Sequence, residues 1–130
     1  MKILALAAAA LLFAGQGAFA CYEDGDAPIL TGRLISVQPA IASASGASSA
    51  TEPYYVLELD APVCIKGEYS NRIARDIRSV HVFAVERARE ADLKRNAGKR
   101  VSVAFMTVFE EYNSLHRRPM VGSIRTIKQL

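Results

Sequence analysis

The chain has 130 residues, 51% hydrophobic and 22% charged, a size and balance that suit one globular domain and exclude two domains with separate cores. Its formal net charge of +3 is a weak overall field. It has no Trp, and beyond the N-terminus no apolar run approaches the roughly 18 residues a membrane span needs, which excludes a transmembrane segment in the mature chain.

Met1-Lys2 makes a short positive start, Ile3 to Phe13 is continuously apolar, and Gly15-Gln16-Gly17 breaks that run before Ala18-Phe19-Ala20. These are the n-region, h-region and A-x-A site of a secretory signal. Residues 1–20 are therefore read as a signal peptide cut after Ala20, and residues 21–130 as a single periplasmic or secreted domain. Cys21 would then be the first mature residue and raises the alternative of an acylated lipoprotein, but Ala18 and Phe19 make a poor lipobox. The oxidising compartment favours pairing the two cysteines, and Cys21 to Cys64 is the sole connectivity. Such a bridge closes a loop of about 44 residues, for which the chain-entropy account gives roughly 4 kcal/mol at the upper end.

Ile29 to Val37 is β-branched and partly alternating, so it predicts a first strand, with Gly32 marking a bulge or bend. Residues 38–53 are Ala/Ser-rich between Pro39 and Pro53 and read as a flexible loop. Tyr54 to Leu59 alternates cleanly, with Tyr55, Leu57 and Leu59 on one face against Tyr54, Val56 and Glu58 on the other, giving a second strand. Asp60-Ala61-Pro62 turns or bulges before Val63-Cys64-Ile65, and the polar stretch Lys66 to Arg78 reads as a second long loop. Ser79 to Val85 predicts a third strand.

Glu86 to Ala97 changes period: Glu90 and Lys94 stand at i,i+4 and Gly98 sits where a C-cap belongs, so a three-turn helix fits. Its apolar stripe, Val85, Ala88 and Leu93 with Ala91 and Ala97, is narrow, enough to cover one barrel end. Arg100 to Phe109 is the clearest strand, and a polar connection from Glu110 to Arg118 leads to a last strand, Pro119 to Ile127. Three strands, a helix and two strands is the order of a mainly β fold: a small five-stranded OB-like Greek-key barrel with one helix between strands 3 and 4. A five-stranded α+β sandwich shares that order.

The segments Leu30-Thr31-Gly32-Arg33-Leu34, Tyr55-Val56-Leu57-Glu58-Leu59-Asp60-Ala61-Pro62-Val63-Cys64 and Gly98-Lys99-Arg100-Val101-Ser102-Val103, with Pro119 opening the last strand, carry a resemblance. The chain resembles a family of small exported bacterial domains of unknown function with an OB-like fold. The D-x-P-x-C turn is the most specific part, and G-K-R-V-x-V recurs across many barrels. Family members often carry a His-rich connection before the final strand, where this chain keeps only His116. The resemblance implies a fold and a compartment, and no activity.

No constellation for catalysis stands out. Metal binding needs three or four ligands together, and the only histidines, His81 and His116, are scattered, so neither a metal nor another cofactor is expected. Ser43, Ser45, Ser48 and Ser49 lie in a loop with no orienting His or acid nearby. Glu110 and Glu111 are adjacent at a strand end, where neighbouring side chains point to opposite faces, unlike the facing carboxylates of a glycosidase. Arg72, Arg75 and Arg78, and His116 with Arg117 and Arg118, are the clusters whose forked donors suit phosphate or carboxylate.

Charge is unevenly spread: residues 21–70 carry seven acids against Arg33 and Lys66, and residues 71–130 carry thirteen bases against six acids. A solvated surface whose halves pair across the fold is the plain reading, and without an aromatic-rich basic groove no nucleic acid is expected. The expected function is a non-enzymatic periplasmic or secreted binding domain. Its ligand edge would be loops 38–53 and 110–118, and its candidate ligand residues His116, Arg117 and Arg118. Its partner would be an anionic envelope component or a periplasmic protein. The alternatives are a protein-partner inhibitor or accessory module, and a weak envelope hydrolase.

Overall fold

The computed structural model describes residues 20–38, 53–68, 73–111 and 118–130. The expected signal peptide up to residue 19, all but the ends of the Ala/Ser connection, and Arg72, His116 and Arg117 lie outside the described residues. Six strands and one helix follow one another: β1 (Cys21–Glu23), β2 (Ile29–Val37), β3 (Tyr54–Lys66), β4 (Ile73–Phe83), α1 (Arg87–Asn96), β5 (Arg100–Glu110) and β6 (Met120–Gln129).

Five of the strands close on themselves. β2 pairs antiparallel with β3 and with β5, β3 with β4, and β5 with β6, while β4 and β6 run parallel over Phe83↔Ser123 and its two preceding pairs. With the helix inserted between the third and fourth barrel strands, this is an OB-like barrel. One row of partners runs from Ile35 through Val56, His81 and Val121 to Phe109. It returns to β2 beside Gly25 and Asp26, which bond Val108, about ten residues ahead of its start, the stagger that a closed barrel of tilted strands requires.

The interior is built by alternation. Leu34, Leu57, Val80, Val82, Val101, Val103, Phe105, Met120 and Ile124 form one buried cluster, with Tyr55 and Leu59 packed at its border. Two glycines make room for close approaches: a Cβ at Gly32 would overlap the Glu58 carbonyl, and one at Gly122 would overlap the Phe105 ring. The helix closes one end by inserting Leu93, 2% exposed, into the cluster. Gly98 follows it at φ +84, a left-handed position that favours glycine, and its amide bonds the Leu34 carbonyl at 2.6 Å. Val85, assigned to the helix stripe by its spacing, is instead exposed.

β3 continues through Asp60–Pro62 with register shifts, which makes the expected turn or bulge a bulge within one long strand. Two elements differ from the sequence expectation. β4 starts at Ile73, which turns half of the expected 66–78 loop into strand. β1 is a sixth strand outside the barrel, parallel to the end of β3 with Cys21↔Cys64 in register. Among the described residues no helix is long and apolar enough to cross a membrane.

Candidate functional site

The outer face of β3 and β4 is set by the same alternation that fills the core. Because Leu57, Val80 and Val82 point inward, Tyr54, Val56, His81 and Phe83 point outward. Phe109 of β5 joins them through the register of β6 with β5. The rings meet edge to face: Tyr54 and His81 have centroids 5.5 Å apart, His81 and Phe83 6.4 Å, and Phe83 and Phe109 6.4 Å. These separations suit the edge-to-face attraction of aromatic pairs. Val56 and Val121 flank His81 in the row and are 1% and 0% exposed although they lie outside the inner cluster. An aromatic and apolar band therefore runs across the outside of the barrel.

The sequence treated these residues as strand formers and His81 as a scattered histidine. The signal was present in part, since Tyr54 and Val56 alternate with Leu57, but only the register brings the rings of three strands together.

The residues singled out from the sequence are placed as follows. Arg118 is half-buried just before β6, beside Pro119, whose carbonyl accepts the Glu111 amide at 2.9 Å. Arg75 and Arg78 are exposed on β4, and Arg78 pairs with Asp76 at 3.0 Å. Asp76 has φ 57, a left-handed backbone that breaks strand alternation between the two arginines. Glu110 is buried, and its amide donates to Asp24 Oδ1 at 2.8 Å. Cys21 and Cys64 are joined as a disulfide, with Cα atoms 4.3 Å apart.

Arg100 and Asp60 form an exposed ion pair between β5 and β3. The Arg100 guanidinium hydrogen-bonded to Asp60 holds that carboxyl below the ordinary carboxylate range. Partial desolvation opposes this, and the Thr31 hydroxyl assists it. No group of three or more His, Cys, Asp or Glu among the described residues is placed to hold a metal ion.

No protein-family model, curated protein or solved structure matches the chain. Its likeness to an OB barrel rests on its own strand order and pairing.

Proposed function

We propose that the chain is a non-enzymatic binding or interaction domain that acts in the periplasm or outside the cell, and that its ligand meets the outer face of β3 and β4. The supporting observation is the aromatic row of Tyr54, His81, Phe83 and Phe109. OB barrels bind through the outer face of these two strands and the connections beside it, and aromatic rings offer large, rigid contact area at little entropic cost. Arg118 stands where the last connection enters β6 and brings forked donors suited to phosphate or carboxylate. That chemistry favours an anionic envelope component, or a periplasmic protein presenting an acidic residue. The leader and the resemblance to exported domains support the compartment.

The test is a titration of isotope-labelled protein with phosphorylated glycan and peptide fragments of a cell envelope. Amide signals of Tyr54, His81 and Phe83 should shift first, and Phe83→Ala should weaken binding about tenfold, equal to about 1.4 kcal/mol. Shifts confined to another face, or hydrolysis of a fragment by the protein, would reject the reading.

A further inference from the structure

The residues ahead of the barrel form a clip. β1 lies parallel to the end of β3, and the disulfide joins the first residue of β1 to Cys64. Three residues after Cys21, the Asp24 carboxylate accepts two backbone hydrogen bonds. Its Oδ2 takes the Glu68 amide, just past β3, at 2.9 Å, and its Oδ1 takes the Glu110 amide, at the end of β5, at 2.8 Å. A cleft of about 400 Å³ at this junction is lined by Glu23, Asp24, Lys66, Gly67 and Glu68. Beyond Asp24 the chain is held differently: Gly25 donates to the Val108 carbonyl at 2.8 Å, and Val108 donates to that of Asp26 at 2.9 Å.

We propose that the clip is a redox-sensitive latch, in which the Cys21–Cys64 link holds Asp24 where one carboxylate fixes both the backbone leaving β3 and the backbone leaving β5. Three paired residues are too few to hold β1 without a covalent tie, since even a two-stranded hairpin is marginal in water. The barrel does not need β1: its five strands close without it, and from β1 only Tyr22 packs against the core. Release therefore reaches the two strand exits and leaves the barrel closed.

The releasing reagent is a dithiol. One of its thiolates attacks the sulfur of Cys21, an exposed residue, and Cys64 leaves as thiolate; the second thiolate then attacks the mixed disulfide and frees Cys21. The reagent is oxidised to its own disulfide, and the two protons it gives up restore both cysteine thiols.

Backbone relaxation of the full chain, with and without dithiothreitol, tests the latch independently of any ligand. In the oxidised protein the Glu68 and Glu110 amides should show order parameters of about 0.85, the rigid-backbone value. Reduction should lower both toward about 0.6 while Val103 and Phe105 keep theirs. Cys21→Ser with Cys64→Ser should reproduce the reduced pattern, and Asp24→Ala should loosen both amides with the disulfide intact. Rigid Glu68 and Glu110 in the reduced protein, rigid amides in Asp24→Ala, or loss of order across the whole barrel on reduction would each overturn the proposal.

Discussion

Asp60 and Arg100 illustrate how single residues behave on this barrel. Both are exposed, so their attraction is screened and contributes little to stability, but it is readable as a titration. Because the Asp60 pKa is depressed in the folded state, its contribution is present above the unfolded value and is lost as pH falls through the lower, folded value. Carbon-detected titration should therefore give Asp60 a midpoint below that of an ordinary exposed carboxylate, and Arg100→Gln should raise it. An unchanged midpoint in the variant would show that the guanidinium is not the cause. The glycines give the complementary lesson. Gly32 is recognisable from its place inside a strand pattern, whereas nothing near Gly122 announces that Phe105 occupies the space a side chain would take.

At the scale of elements, local pattern identifies β2, the first half of β3, α1, β5 and β6, because each alternates or repeats along its own length. It fails where structure depends on a distant partner. Ile73 to Arg78 reads as loop because it is polar and interrupted by the left-handed Asp76, yet it pairs with β3 across two register shifts. Cys-Tyr-Glu of β1 has no strand signature and is a strand because β3 and the disulfide hold it. That staple closes a loop with a sequence separation of 43, so the constrained unfolded chain should be worth up to roughly 4 kcal/mol. Reduction should then lower Tm by up to about 16 °C, at about 4 °C for each 1 kcal/mol in a domain of this size. Equal melting of oxidised and reduced protein would show that the bridge stabilises nothing.

For the whole molecule, the uneven charge becomes spatial. The clip meets the C-terminal end of β5, where Asp24 accepts the Glu110 amide, while at the N-terminal end Lys99 precedes the strand and Lys128 pairs in register with Ser102. Among the described residues Arg100 reaches Asp60 across the two halves of the sequence, while Arg89 and Arg95 both turn to Asp92 within their own helix. The compartment is tested at the same scale. Exported protein should begin at Cys21 with an intact mass free of lipid, and a diacylglyceryl group on that residue would replace soluble export with membrane anchoring.

The sequence by itself determined the order of the barrel strands and helix and the one way two cysteines can pair. Alternation, helical period and cysteine number are local or countable properties. The tertiary structure alone decided the closure of the barrel, the length of β4, the clip and the aromatic band. Each depends on register between residues far apart in the chain, and a shift of one residue would turn Tyr54, His81 and Phe83 into the core. The connections expected to carry the ligand residues have no period of their own, so pattern could name His116, Arg117 and Arg118 but gave no geometry between them.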